Sequence, residues 1–132
     1  AGTKIEEIMT RDVVFVEENL SLKELVEKFF FKYRFDSYPV VKNGEFLGCI
    51  TLEHVKNIPK ERWDELKVKD VMDRIPPELL LHPQEEAVEA LSKMVRSGQG
   101  RLPVIEKGKL VGILTRRDIM AFLRIRTDLG VH

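Results

Sequence analysis

A stretch of thirteen residues occurs twice in this chain, and this repeat restricts the possible folds more than any other feature. The copies span residues 39–51 and 103–115, and their proline, two glycines and threonine match at a constant spacing of 64 residues. A spacing without insertions indicates two copies of one structural unit. In each copy, apolar residues lie on both sides of a turn dipeptide, Asn43-Gly44 or Lys107-Gly108, and this pattern predicts a β-hairpin.

The residues around each hairpin predict a further strand and two helices, so that each copy is a β-α-β-β-α unit. Short apolar runs at residues 13–16 and 79–81 are expected to form the first strands. The helix that follows is expected to begin after the capping residue Ser21 in the first copy and near Pro83 in the second. Gly98 is expected to end the second of these helices.

Apolar side chains at helical spacing indicate which helix faces pack on the core. The inward positions are expected to be Ala87, Val88, Leu91, Met94 and Val95 in one second-copy helix, and Ile119, Met120, Leu123 and Ile125 in the last. Trp63, between the copies, is expected to anchor the connecting segment on the core, with an exposed partner contact as the alternative. Phe31 is expected to be the one exposed ring of a three-phenylalanine run, available for a dimer contact.

The length of the chain indicates that the two copies share a core. The chain has 132 residues, and two separate copies of roughly 60 residues would each be only marginally stable. We therefore expect an α+β fold of two pseudo-symmetric units that pack sheet to sheet and leave clefts where they meet. The first unit is expected at residues 1–57, a linker at 58–67 and the second unit at 68–132.

The charge balance argues against a nucleic-acid binder, because such proteins usually present a strongly basic face. Residues 1–66 carry 10 basic and 13 acidic side chains, whereas residues 67–132 carry 12 and 9. The mild positive excess in the second half favours binding of an anion there. No apolar run approaches about 18 residues and there is no signal-peptide pattern, so we expect a cytoplasmic chain without direct membrane insertion.

Few residues of the chain suit metal binding or catalysis. Cys49 is the single cysteine, which excludes an internal disulfide, and its apolar strand suggests a buried, inert thiol. His54 and His82 are isolated and His132 is terminal, so no metal site is predicted. We find no nucleophile–base pair and no paired carboxylates at a predicted cleft, and therefore do not expect an enzyme.

Several short motifs recur in the same order in both copies. They are Met9-Thr10 and Met72-Asp73, two Pro-Val segments, two Gly-x-x-x-Gly segments, and the Thr-x-x-Asp and Thr-x-x-His segments at residues 115–118 and 51–54. Over nearly the whole chain, this ordered set resembles a tandem pair of CBS domains, a Bateman module. The resemblance implies a regulatory, non-catalytic module that binds AMP, ADP, ATP or S-adenosylmethionine between its copies. It also implies control of an attached or partner protein and formation of a homodimer.

A narrower likeness concerns the connecting segment. Residues 55–59, 61–63 and 68–72 resemble those of CBS pairs at the cytoplasmic tails of site-2-type membrane metalloproteases, which implies the cytoplasmic part of a membrane protein. This sequence itself contains no H-E-x-x-H motif. The alternative to ligand binding is a ligand-free scaffold that serves dimerisation alone.

The end of the second hairpin offers groups that suit a nucleotide. Asp118 can accept hydrogen bonds from both ribose hydroxyls, as an acidic residue does in dinucleotide-binding folds. The Thr115 hydroxyl and the N–H groups at the start of the following helix can face a phosphate, and Arg117 is within reach of the same place. The structural alternatives are that Asp118 is only a first-turn helix acid, Thr115 only a helix cap and the arginine part of a solvated face.

The resemblance supplies the remaining candidate residues of the site. Arg101 corresponds to a position where family members place a phosphate-binding basic residue, and its planar guanidinium suits phosphate oxygens. The residues implied to line the base are Thr10, Val13, Val14, Phe35, Asp36 and Ile113. The carboxylate of Asp36 would repel phosphates, which favours AMP or adenosine over ATP.

The corresponding place in the other copy lacks these groups. His54 stands at the position of Asp118, Asp73 at that of Thr10, and Ser37 at that of Arg101. Gln99-Gly100 occupies the position of Phe35-Asp36. We therefore predict one competent site, around Asp118, and one that is empty or weak.

Overall fold

The computed structural model describes residues 2–131, and the chain divides between two units. One, here the central unit, is Val14–Ile75. The other, here the terminal unit, combines Ala1–Val13 with Pro76–His132. The N-terminal segment therefore belongs with the second hairpin, and residues 68–75 belong with the first.

The central unit contains the first predicted hairpin. Its main elements are β1 (Val16–Glu17), helix α1 (residues 22–33), β2 (Ser37–Lys42), β3 (Glu45–Thr51), α2 (Leu52–Lys56) and α3 (Val68–Val71), with a 3-10 turn at Lys60–Arg62. Strand β1 pairs parallel to β2, which pairs antiparallel to β3. Asn43 and Gly44 both have positive φ angles, of 51° and 83°, as a tight two-residue hairpin turn requires.

Helix α1 begins where its sequence predicts. The Ser21 hydroxyl accepts a hydrogen bond from the Glu24 N–H, at 3.1 Å, and thereby caps the first turn. Its middle residues, Val26–Phe30, form a π-helical turn, and the helix ends at Arg34 in the left-handed conformation. Phe30 is buried, whereas Phe31 is 73% exposed, as the phenylalanine run predicts.

The terminal unit contains the second hairpin. Its elements are a 3-10 turn at Ile5–Glu7, another at Pro77–Leu79, α4 (Ala87–Ser97), β4 (Arg101–Glu106), β5 (Lys109–Thr115) and α5 (Arg116–Asp128). Strands β4 and β5 pair antiparallel, and Arg101 faces Thr115 as Ser37 faces Thr51 in the first hairpin. Gly98 ends α4 with a φ angle of 70°. The hairpins and the α+β class are thus confirmed.

Each unit has its own hydrophobic cluster. The central cluster contains Val16, Leu22, Leu25, Val26, Phe30, Tyr38, Val40, Ile50, Val55 and Val68. The terminal cluster contains Ile5, Met9, Leu81, Ala90, Met94, Leu102, Val104, Leu114 and Ile119. Residues before the hairpin of one repeat therefore pack with the hairpin of the other, as Ile5 and Val68 show. The predicted boundaries at residues 1–57, 58–67 and 68–132 remain a prediction about the repeats.

Two predicted strands are shorter than expected. Only Val16–Glu17 pairs in the first, because the chain passes from one unit to the other between Val13 and Val14. In the second, only Leu81 bridges to Val104, since Pro77–Leu79 forms a 3-10 turn instead. Helix α4 likewise begins at Ala87 and not near Pro83, so the proline lies in the turn before the helix.

The predictions of which residues of α4 and α5 face the core are partly wrong. In α4, Val88 and Val95 are 61% and 74% exposed, while Ala90 and Lys93 are buried. The Lys93 ammonium group is accommodated by ion pairing with Glu85 at 2.8 Å. In α5, Ile119 is buried, but Met120, Leu123 and Ile125 are exposed. Helical spacing marks a broad apolar stripe, and packing buries only one edge of it.

Two single residues behave as expected. Trp63 packs against the central cluster and donates its indole N–H to the Ile58 carbonyl at 3.0 Å, so it anchors the connecting segment. Cys49 is buried. Within residues 2–131, no helix combines the length and apolar character needed to cross a bilayer.

Candidate functional site

Thr10 is held beside the end of β5 by backbone pairing. Its N–H donates to the Ile113 carbonyl at 2.8 Å, and the Ile113 N–H donates to the Thr10 carbonyl at 2.9 Å. Gly112 makes this approach possible, because a Cβ there would lie 2.6 Å from the Met9 sulfur and 3.0 Å from the Thr10 oxygen. The glycine of the repeated motif thus brings two segments together that are about a hundred residues apart in the chain.

Thr115 and Asp118 form the first turn of α5. The Thr115 hydroxyl oxygen accepts a hydrogen bond from the Asp118 N–H at 3.0 Å, so Thr115 is the helix cap. The hydroxyl proton is left to donate elsewhere. Asp118 is half-buried, and within residues 2–131 its carboxylate has no hydrogen-bond or ion-pair partner. A half-buried acid with unused acceptor capacity can bind a pair of hydroxyl groups.

Arg101 and Arg117 place positive charge near this turn. Arg101 is half-buried and lies opposite Thr115 in the β4–β5 register. The Gly100 carbonyl accepts from the Arg116 N–H at 2.8 Å, which ties the beginning of β4 to the first turn of α5. Arg117 is exposed. The terminal unit therefore brings the predicted acid, threonines and arginines to one edge, formed by the ends of its hairpin.

The remaining predicted residues divide between the units. Val13 belongs to the terminal unit and is half-buried, and Ile113 is buried through its pairing with Thr10. Val14, Phe35 and Asp36 belong to the central unit, and their part in the same site remains a prediction.

Within the central unit, Phe35 and Asp36 have defined backbone contacts. The buried Tyr38 hydroxyl donates to the Phe29 carbonyl at 2.9 Å and accepts from the Phe35 N–H at 3.3 Å. The Phe35 ring stacks on Tyr33, with 6.4 Å between centroids. Asp36 is exposed, and its carbonyl accepts from the Leu52 N–H. Tyr38 therefore fixes the segment that carries both residues, a role that its sequence position alone does not reveal.

The central unit repeats the backbone arrangement of the candidate site. Asp73 pairs with Cys49 through hydrogen bonds of 2.9 and 3.0 Å, as Thr10 pairs with Ile113. A Cβ on Gly48 would lie 2.3 Å from the Asp73 carbonyl oxygen. Thr51 caps α2 by accepting from the His54 N–H at 3.3 Å.

The side chains at these matching positions differ from those of the terminal unit. The His54 Nδ1 atom accepts from the Thr51 N–H at 3.0 Å, and Nε2 lies 2.8 Å from the Asp73 carboxylate. The neutral ring with its proton on Nε2 satisfies both contacts. The sequence marks His54 and Asp73 as the counterparts of Asp118 and Thr10 but gives no sign that they bond to each other.

A metal cluster is not evident in the described part of the chain. Among residues 2–131, no group of three or more His, Cys, Asp or Glu side chains is placed to hold an ion. His132 lies outside the described residues.

Comparison with known proteins identifies the family. The family model for the CBS domain matches twice, at residues 5–61 and 68–125, so the chain belongs to the CBS domain family. CBS domain pairs are regulatory modules and not catalysts. The resemblance to a tandem CBS pair is therefore confirmed.

Individual relatives agree with this assignment. The chain is 33% identical over 129 residues to the zinc metalloprotease MJ0392 of Methanocaldococcus jannaschii, covering 96% of this chain and 34% of the relative. It thus spans about a third of that relative's length. Among solved structures, CBSX2 in complex with AMP has a TM-score of 0.80 and 23% identity, covering 95% of this chain and 99% of the other.

A second solved structure has the same fold. The CBS domain pair of protein MJ0100, in complex with 5′-methylthioadenosine and S-adenosyl-L-methionine, has a TM-score of 0.77 and 21% identity. The match covers 96% of this chain and 99% of the other.

Proposed function

We propose that this chain is a regulatory module that binds an adenosyl ligand at the edge of the terminal unit formed by Thr10, Thr115 and Asp118. The observation that carries the proposal is the half-buried Asp118 carboxylate, which lacks a protein partner within residues 2–131 and follows the Thr115 cap. Its carboxylate oxygens have open acceptor sites, which two ribose hydroxyls can fill as donors. CBS pairs of the same fold that are complexed with AMP, or with 5′-methylthioadenosine and S-adenosyl-L-methionine, support this ligand class.

Each candidate residue has a separate task in this proposal. Asp118 accepts from the ribose, and Thr115 donates its remaining hydroxyl proton to the 5′ group. Arg101 and Arg117 neutralise a phosphate, for which a guanidinium is well suited. The residues proposed to line the adenine base are Thr10, Val13, Val14, Phe35 and Ile113. Asp36 adds negative charge, so AMP is expected to bind more tightly than ATP.

The regulatory part of the proposal concerns an attached or partner protein. The MJ0392 relative is named a zinc metalloprotease and is about three times as long as the region that matches. We propose that this chain controls an attached or partner effector protein on the cytoplasmic side of a membrane or in the cytoplasm. Ligand binding can shift the conformational equilibrium of such an effector only by as much free energy as the ligand gains from binding one conformation of the module over another.

We further propose that the module forms a homodimer. Helices α4 and α5 pack on each other within the terminal unit and leave Val88, Val95 and Met120 largely exposed. A contiguous exposed apolar patch commonly marks an interaction surface, and we propose that these side chains form one. Sedimentation velocity tests the proposal: a species of twice the 15.3 kDa chain mass supports the dimer, and a single monomeric species contradicts it.

Calorimetric titration of the purified chain with AMP, ADP, ATP and S-adenosylmethionine tests the ligand proposal. At least one of the four is expected to bind with a stoichiometry of one per chain and to raise the melting temperature. Among the phosphorylated ligands, AMP is expected to bind most tightly. If none of the four ligands produces binding heat or a thermal shift, the ligand-free scaffold becomes the better account.

A further inference from the structure

The two units carry the same backbone framework with different side chains at its two polar positions. Thr51 and Thr115 each cap a helix by accepting a hydrogen bond from the backbone N–H three residues later. That N–H belongs to His54 in the central unit and to Asp118 in the terminal unit. Cys49 and Ile113, two residues before those threonines, pair with Asp73 and Thr10 respectively. The positions that we propose for ligand binding in the terminal unit therefore have direct counterparts in the central unit.

In the central unit, these counterparts satisfy each other. The imidazole of His54 has both ring nitrogens engaged, Nδ1 by the Thr51 N–H at 3.0 Å and Nε2 by the Asp73 carboxylate at 2.8 Å. The His54 side chain is 20% exposed, so this bond lies partly out of solvent. By contrast, the Asp118 carboxylate has no such partner within residues 2–131.

We propose that the His54–Asp73 hydrogen bond acts as an internal plug that prevents the central unit from taking an adenosyl ligand. The inference extends the proposed function and rests on it: one ligand binds per chain because the second position lacks the ribose acid and its polar side chains are already bonded to each other. A ligand there would have to break the hydrogen bond between the imidazole and the carboxylate. It would also meet an imidazole that has no free acceptor for the ribose hydroxyls, because Nδ1 already accepts from the Thr51 N–H and Nε2–H is a donor.

The charge of Asp73 adds to the exclusion. Asp73 is largely exposed, and its carboxylate would repel the phosphate of a nucleotide. Ser37 faces Thr51 where Arg101 faces Thr115, so the central unit has no guanidinium at that position to offset the repulsion. An uncharged adenosyl compound is therefore the appropriate probe for a reopened position.

The test exchanges the two side chains for their counterparts from the terminal unit. In the His54→Asp/Asp73→Thr double variant, the plug is removed and the ribose acid is supplied. Calorimetry with 5′-methylthioadenosine is expected to show one more bound equivalent per chain in the double variant than in the wild type. Adding Asp118→Ala to the double variant is expected to leave that additional equivalent in place.

Two control variants separate the plug from a general effect of substitution. Asp73→Asn keeps an acceptor for the His54 Nε2–H, so it is expected to retain the wild-type stoichiometry. His54→Ala removes the plug without supplying an acid and is expected to gain no tight site. Circular dichroism and urea denaturation establish that each variant is folded before it is titrated.

The outcomes distinguish this inference from the proposed function. A double variant that is folded but gains no equivalent would overturn the inference, as would a wild type that binds two equivalents. A wild type that binds none of the adenosyl ligands contradicts the proposed function, while a gain of one equivalent in the double variant would still support the plug.

If the double variant does not fold, long-range ¹H–¹⁵N correlation spectra of the wild-type imidazoles decide between the outcomes. A His54 signal that keeps its Nε2–H form when ligand saturates the chain supports the inference, and a changed tautomer contradicts it.

Discussion

Replacing Asp118 with alanine is expected to weaken binding of AMP by on the order of 100-fold, measured by calorimetry. The carboxylate is proposed to accept two hydrogen bonds from the ribose, and hydrogen bonds to a charged group contribute about 1.5–3 kcal/mol each. A combined loss of about 3 kcal/mol corresponds to roughly two factors of ten in the dissociation constant. The Asp118→Asn variant, which keeps one oxygen acceptor, is expected to fall between the alanine variant and the wild type.

The structural alternative for Asp118 is tested by a matched acid on another helix. Glu89 lies in the first turn of α4, as Asp118 lies in the first turn of α5. An acid at such a position stabilises a helix by about 0.5 kcal/mol through the helix dipole. If Asp118 serves only that purpose, Asp118→Ala and Glu89→Ala will lower stability alike and leave nucleotide affinity unchanged. Our account requires a large loss of affinity in the first variant alone.

Replacing Gly48 with alanine is expected to lower the free energy of unfolding by about 3 kcal/mol. A Cβ at this position would lie 2.3 Å from the Asp73 carbonyl oxygen, 3.2 Å from its carbonyl carbon and 3.4 Å from the Arg74 Cα. All three atoms belong to the backbone, so no side chain can rotate away to relieve the overlap. The substitution must therefore displace the segment that pairs with Cys49. Urea denaturation measures the loss.

Two other glycines serve as comparisons. At Gly112, a Cβ would lie 2.6 Å from the Met9 sulfur and 3.0 Å from the Thr10 carbonyl oxygen. The shorter contact is with a flexible side chain and the backbone contact is longer than the 2.3 Å at Gly48, so Gly112→Ala is expected to cost less than Gly48→Ala. At Gly100, a Cβ would meet nothing within 4 Å, and Gly100→Ala is expected to change stability by less than about 0.5 kcal/mol. If Gly48→Ala and Gly100→Ala lower the free energy of unfolding equally, the close approach of Asp73 is not the reason that position 48 requires glycine.

The hairpins could be predicted because their determinants are local. Asn43-Gly44 and Lys107-Gly108 adopt the left-handed turn that the dipeptides favour, and apolar residues on both sides pair across it. The constant spacing of 64 residues then predicted the second copy from the first. The caps at Ser21 and Thr115 are local in the same sense, since each bonds to a backbone N–H three residues away.

Other features depend on contacts that local patterns do not encode. Which edge of an apolar stripe is buried depends on the neighbouring element, and for this reason Val95 and Met120 were wrongly predicted to face the core. The strands predicted at residues 13–16 and 79–81 are shorter than expected, because each pairs with its neighbouring strand over only one or two residues. The bond between His54 and Asp73 requires two segments to meet at β3, and neither segment specifies the other.

The candidate site was predictable in part. The sequence places Thr115 and Asp118 on the first turn of one helix, and the structure shows between them the cap that the structural alternative predicts, while their role in ligand binding stays a prediction. The resemblance to CBS pairs assigned Thr10 to the same site, and the structure shows it paired with Ile113. Whether Val14, Phe35 and Asp36 complete the site is still a prediction, because they belong to the central unit.

The most direct test of the central claim is a crystal structure of this chain grown with saturating AMP. Our account predicts that the 2′ and 3′ hydroxyls of the ribose donate to the Asp118 carboxylate at about 2.7 Å, with the Thr115 hydroxyl directed at the phosphate. The His54–Asp73 bond is expected to be unchanged in the same crystal. AMP bound with its ribose elsewhere, or an Asp118 carboxylate without ligand at saturating concentration, would contradict the account.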